Sequence, residues 1–156
     1  MDNGYTDNSK ELTAYVDGSF NVTTGRYGFG CVFIEPDGTI TERLGSNINE
    51  ESAKLRNVTG EMLGSMYAVK WAMARGYKRI RIFYDYTGIE YWVTGKWKSK
   101  NELTKKYSAS MREWGKSIEI SFEKVEAHTG VTYNETADKL AKRAIEEELP
   151  IPGVRD

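Results

Sequence analysis

Leu12, Ala14 and Val16 alternate with Thr13, Tyr15 and Asp17, the period of two that a half-buried strand presents. That strand is expected to end in Asp17-Gly18-Ser19. Gly25, Gly28 and Gly30 punctuate the next stretch, residues 29–34 read as a second strand, and Pro36-Asp37-Gly38 is a turn. Residues 39–44 make a third strand, so the opening is an antiparallel meander. From Asn57 the period changes. Val58, Met62, Met66, Val69 and Met73 lie three or four apart, the stripe of an amphipathic helix that Gly76 closes. Residues 79–85 are a fourth strand, with Ile80, Ile82 and Tyr84 on one face. A short helix through Ile89 and Trp92 to Gly95 follows, then a longer one over 102–114, then a fifth strand marked by Ile118, Ile120 and Phe122. Asn134 is the expected N-cap of a last helix in which Ala137, Leu140, Ala141, Ala144 and Ile145 face inward, and Pro150 and Pro152 end it.

Strands joined through a helix are usually parallel, with a right-handed crossover. The order therefore predicts an α/β fold: a five-stranded mixed sheet, antiparallel meander plus parallel strands, with helices on both faces. One domain over 11–149 is expected, with a flexible lead-in over 1–10 and a tail over 150–156.

Composition narrows the function classes. A chain of 156 residues, 39 % apolar and 29 % charged, is an ordinary globular domain. No apolar run approaches the ~18 residues of a membrane span, and the polar first ten residues lack a signal-peptide core. Cys31 is the single cysteine, so no internal disulfide can form and a cytoplasmic setting is expected. The net charge of −1 does not advertise a polyanion partner. The basic residues are uneven, however: Lys96, Lys98, Lys100, Lys105 and Lys106 crowd one segment, with Trp92, Trp97 and Tyr107 interleaved.

The acidic residues carry the chemistry. Asp17 is expected at the end of the first strand and Asp85 at the end of the fourth, its parallel neighbour, where sites form in open α/β sheets. Glu61 and Asp138 are each expected in the first turn of a helix, beside the apolar face. Singly, each has a plain explanation: an Asp before Gly forms turns, and acids in a first helical turn complement the helix dipole. Asp85 is the least plain, a charge ending an apolar strand between Tyr84 and Tyr86. Together, four carboxylates converging on one sheet edge suit hard divalent cations, and two such ions about 4 Å apart suit in-line phosphoryl chemistry. His128, the single histidine, sits in Glu126-Ala127-His128-Thr129-Gly130, as either a solvated loop residue or an acid–base group ten residues before Asp138.

With these motifs in order, Tyr15-Val16-Asp17-Gly18-Ser19, Tyr27-Gly28, Asn57-Val58-Thr59-Gly60-Glu61, Tyr84-Asp85-Tyr86, the histidine loop and Asn134-Glu135-Thr136-Ala137-Asp138, the chain resembles type 1 ribonuclease H over roughly residues 13–144. The resemblance implies hydrolysis of the RNA strand of an RNA–DNA hybrid, leaving 5′-phosphate and 3′-hydroxyl ends. It implies that Asp17, Glu61, Asp85 and Asp138 hold two Mg²⁺ ions, with Mn²⁺ as a substitute. It further implies that His128 helps product leave or moves protons, and that Asn57 reads the RNA strand near its 2′-hydroxyls. Val58, Tyr86 and Thr87 depart from the polar residues many relatives carry. Lys96, Trp97, Lys98 and Lys100 stand in place of a longer basic protrusion. They either grip the DNA strand or form a solvated helix end with Trp97 packed on the core. Two rivals are a hybrid-binding module without catalysis, against which the intact carboxylate set argues, and another two-metal nuclease or recombinase on the same fold.

Overall fold

A computed structural model of the chain describes residues 11–48, 55–126 and 132–155. The expected lead-in over 1–10 lies outside them. The described elements are β1 (Glu11–Phe20), β2 (Arg26–Ile34), β3 (Ile40–Ile48), α1 (Asn57–Ala74), β4 (Arg79–Tyr84), α2 (Gly88–Thr94), α3 (Glu102–Trp114), β5 (Glu119–Lys124) and α4 (Thr132–Glu146). The sheet order is β3-β2-β1-β4-β5. β1 pairs antiparallel with β2 and parallel with β4, β2 pairs antiparallel with β3, and β4 pairs parallel with β5. This is the mixed five-stranded α/β sheet that the pattern of strands and helices predicts.

Strand alternation sorts the core into two layers. Leu12, Ala14, Val16, Phe29, Cys31 and Phe33 point to the side of α1, where Met62, Val69 and Trp71 complete the main core. Tyr15, Val32 and Ile34 point the other way, onto Ala137 and Leu140 of α4. Two contacts of β2 need glycine. A Cβ at Gly28 would lie 2.7 Å from the Ala141 carbonyl, and one at Gly30 would lie 2.2 Å from the Ala137 carbonyl. The helix backbone cannot retreat without losing its packing on the sheet. Gly30→Ala should therefore cost about 2 kcal/mol or more, read as a lowered midpoint in urea with an unchanged slope.

The element ends depart from expectation in ways that matter for the site. β1 runs to Phe20, one residue past the expected end in Asp17-Gly18-Ser19. Its parallel pairing with β4 ends at Tyr15 and Phe83, but antiparallel pairing with β2 continues through Asp17, Gly18, Ser19 and Phe20. Glu61 is not in the first turn of α1 but one turn further, the fifth residue of the helix. Asn134 is not an N-cap. It lies inside α4, which runs from Thr132, and its side chain is buried; Asp138 is therefore beyond the first turn as well. The stripe on α1 also understates its burial, since Lys70 is the one exposed side chain between 58 and 72. α1 packs against the sheet, α2 and α3, and Val154 from beyond α4 joins the same core.

The segment after α4 lies against β3 and α1. The Leu149 carbonyl accepts the Ser46 N–H at 2.7 Å and the Ser46 hydroxyl at 2.8 Å. Ile151 covers Gly45, Tyr67 donates to the Gly153 carbonyl, and Arg75 donates to the Val154 carbonyl at 2.7 Å.

Candidate metal centre

The register brings two carboxylates to one edge. The last parallel pair is Tyr15 with Phe83, and Asp17 and Asp85 each stand two residues beyond it. Beyond that pair β4 ends, while β1 runs on against β2, so the space beside Asp17 is open for the turn after β4. Glu61 enters from α1. Ligand oxygens of Asp17, Glu61 and Asp85 all lie within 4.8 Å of one another. Close approach of α1 permits this, since a Cβ at Gly60 would lie 2.1 Å from the Gly28 carbonyl.

These acids are held in an environment hostile to bare negative charge. Asp17 is 8 % exposed and Glu61 2 %. Burial first, then the Asp85 charge, pushes the Asp17 carboxyl up to about 8; the Gly18 N–H at 2.9 Å opposes this, and Asp138 adds to it. Glu61 is raised well above the usual carboxylate range, again by burial first and the Asp85 charge second. The N–H groups of Asp85, at 3.0 Å, and Tyr86 bond to its carboxylate and oppose that rise. Three clustered oxygen donors, two of them destabilised as anions by burial and by the neighbouring charge, are the donor set that a hard divalent cation compensates.

Asp138 lies outside that triad and beside it. It is hydrogen-bonded to Asp17, and Lys142, one turn along α4, approaches its Oδ2 at 3.0 Å. A cleft of about 260 Å³ opens here, lined by Gly18, Ser19, Phe20, Val22, Arg56, Asp138 and Lys142. Lys142 and Arg56 escape a reading of acids alone, although the spacing of Asp138 and Lys142 is that of a helical ion pair. Asn57 opens α1, but its side chain lies outside the described set, and so does all of His128.

The basic segment lies between α2 and α3. Lys96, Lys98 and Lys100 are exposed. Trp97 belongs wholly to neither expected role: it is 38 % exposed, yet its ring edges meet Tyr86, Tyr91 and Trp92 with centroids 5.6–6.0 Å apart. Tyr86 is equally exposed and lies one residue from Asp85, so an aromatic surface runs from the carboxylates to the lysines. Behind it is a cleft of about 490 Å³ lined by Trp97, Lys98, Ser99, Lys105, Ser108 and Arg112 among others. Lys105 belongs to the basic segment already read in the sequence, whereas Arg112 is an addition, because it reads as part of the solvent face of α3.

The RNase H family model matches residues 9–146. No curated protein sequence matches the chain. Among solved structures it is similar to RNase H1 from the halophilic archaeon Halobacterium salinarum, at 24 % identity over 88 % of this chain and 98 % of that one, with a TM-score of 0.74. It is similar to the N-terminal RNase H domain of a Mycobacterium tuberculosis protein at 21 % identity, over 89 % and 96 % of the two chains, TM-score 0.73. LC11-RNase H1, isolated from compost by a metagenomic approach and solved in complex with an RNA/DNA hybrid, matches at 19 % identity over 88 % and 98 %, TM-score 0.72. At these identities the neighbours speak for the fold, and the family model, spanning β1 to the end of α4, speaks for descent: the chain belongs to the RNase H family of hydrolases.

Proposed function

We propose that the chain hydrolyses the RNA strand of RNA–DNA hybrids with two divalent cations, Mg²⁺ by preference, leaving 5′-phosphate and 3′-hydroxyl ends. The observation that carries this reading is the convergence of Asp17, Glu61 and Asp85 within 4.8 Å in a chain of this family. The hybrid bound by LC11-RNase H1 supports the choice of substrate.

In this reading Asp17, Glu61, Asp85 and Asp138 would together hold the two ions, with Asp17 central because it lies beside both the Glu61–Asp85 pair and Asp138. Ions held there would supply the positive charge that neutralises a scissile phosphate and stabilises its attacking and leaving oxygens. The N–H groups of Asp85 and Tyr86 keep the Glu61 carboxylate turned to its task. Lys142 balances the charge of Asp138. His128 moves a proton or assists product departure, and Asn57 reads a 2′-hydroxyl. Among the described residues no helix is long and apolar enough to cross a membrane. The buried, lone Cys31 thiol is compatible with a reducing cytoplasm. The catalytic unit is taken as residues 11–149.

Lys96, Lys98 and Lys100 with Trp97 hold the DNA strand by phosphate neutralisation and ring contact. Changing the three lysines to Ala should weaken hybrid binding and flatten the dependence of log K on log salt by roughly one unit per lost contact. An unchanged slope in filter binding would remove the patch from the interface. The function itself is tested by incubating labelled hybrid, double-stranded RNA and double-stranded DNA with the protein and Mg²⁺. Cleavage confined to the RNA of the hybrid is expected; equal cutting of either other duplex, or binding of the hybrid without cutting, contradicts the reading.

A further inference from the structure

Glu61 is tied at both its side chain and its backbone by a path of hydrogen bonds that closes on itself. Its Oε2 accepts the N–H of Asp85 at 3.0 Å, and the N–H of Tyr86 also bonds to its carboxylate. The Tyr86 carbonyl accepts the N–H of Ile89, in the first turn of α2, at 2.9 Å. The Ile89 carbonyl accepts the Tyr107 hydroxyl, reaching across from α3, at 2.6 Å. Ser65 stands one turn beyond Glu61 in α1, and its hydroxyl is shared between the Glu61 carbonyl, at 2.9 Å, and the Tyr107 oxygen. The path thus joins α1, the turn after β4, α2 and α3, and it ends where it began.

Ser65, Ile89 and Tyr107 are completely buried. A buried hydroxyl lowers stability unless its hydrogen bonds are made, and an apolar side chain of similar volume would fill the place of Tyr107 without that cost. Packing alone therefore gives no reason for two hydroxyls behind an acidic site. Their partners do: one is the carbonyl of Glu61 itself, the other belongs to the helix that begins three residues after Asp85.

We propose that Tyr107 and Ser65 are positioning residues for the metal centre, fixing the spacing between Glu61 and the turn that carries Asp85 and so setting how tightly the carboxylates hold a divalent cation. This rests on the reading of the triad as a cation site. Neither residue touches an ion or the hybrid; each acts through Glu61 and the turn. Removing groups that orient metal-binding carboxylates commonly weakens metal affinity by about 10–100-fold.

The test uses Mn²⁺ as probe, with free ion measured by electron paramagnetic resonance during titration of the full chain and of Tyr107→Phe and Ser65→Ala, each alongside a thermal melt in EDTA. Roughly tenfold weaker Mn²⁺ binding is expected in Tyr107→Phe, with a smaller loss in Ser65→Ala. At saturating metal, the KM for hybrid should be unchanged. Unaltered Mn²⁺ affinity with a lowered melting point would show that the hydroxyls only support the core, and would overturn the proposal. If Tyr107→Phe fails to fold, Ser65→Ala decides by the same criterion. Absence of Mn²⁺ binding in the unaltered chain would sink the cation site and this inference together; binding there, equalled in both variants, would sink the inference alone.

Discussion

Asp17→Asn is expected to abolish Mg²⁺-dependent cleavage of hybrid while leaving the fold intact. Asp17 is the carboxylate that touches the rest of the cluster from two sides, with Asp85 and Glu61 on one and Asp138 on the other. A neutral amide of the same size keeps an oxygen for the Gly18 N–H, so β1 keeps its local bond. In the proposed two-ion reading it removes the negative charge that both ions would share, so a transition state that depends on two ions would lose them together. A fall of at least 10³-fold in kcat/KM is expected, or about 4 kcal/mol of transition-state stabilisation. Steady-state rates on labelled hybrid, with circular dichroism on the same sample, check both halves. Wild-type activity in the pure variant would rule out the shared-ligand role.

The second large effect concerns pH. In EDTA the folded chain should lose stability as pH rises from about 4 to about 8. The Asp17 carboxyl sits at about 8 in the fold against 3.8 ordinarily, so across that window the folded state keeps a proton that the unfolded state has released. Stability falls with pH wherever the folded state binds more protons. One pKa unit corresponds to about 1.4 kcal/mol, so even half of this displacement amounts to about 3 kcal/mol between the two ends. Glu61, displaced in the same direction, steepens the fall. Asp17→Asn removes the Asp17 part of this dependence, so the variant should melt above the unaltered chain at pH 8 and close to it near pH 4. Mg²⁺ should reverse the order at pH 8, since the cation favours the ionised carboxylates. Parallel pH dependences for the two proteins in EDTA would mean that the cluster does not repel itself as the burial and spacing require.

Much of this was legible in the sequence because period and punctuation are local. The alternation around Leu12 and Val16, the three-and-four spacing after Asn57 and the proline pair after α4 gave the elements, and the parallel rule put Asp17 and Asp85 side by side. What escaped depended on partners distant in sequence. β1 keeps its pairing with β2 through Phe20 after β4 has ended, so which neighbour flanks Asp17-Gly18-Ser19 is not announced by those residues. β3 extends to Ile48 through Gly45 and Ser46, a pair with no strand signature, because β2 pairs with it as far as Arg26, and the Leu149 carbonyl also accepts the Ser46 N–H. In the sequence Tyr107 reads only as an aromatic among lysines; its hydroxyl acquires meaning from Ile89, eighteen residues away. Lys142 meets Asp138 at the local i, i+4 spacing of α4, whereas Arg112 sits on a helix face that reads as solvated, and only the packing brings it to the cleft beside Trp97.

The most direct measurement is anomalous diffraction from crystals of the metal-free chain soaked in Mn²⁺. Oxygen ligands of Asp17, Glu61 and Asp85 within 4.8 Å of one another predict an anomalous peak between them, at about 2.1–2.2 Å from a carboxylate oxygen of each, near the distance of comparable hard cations. The peak should vanish in Asp17→Asn. Mn²⁺ found elsewhere on the chain, with this cluster empty in a preparation that cleaves hybrid with the same ion, would contradict the account.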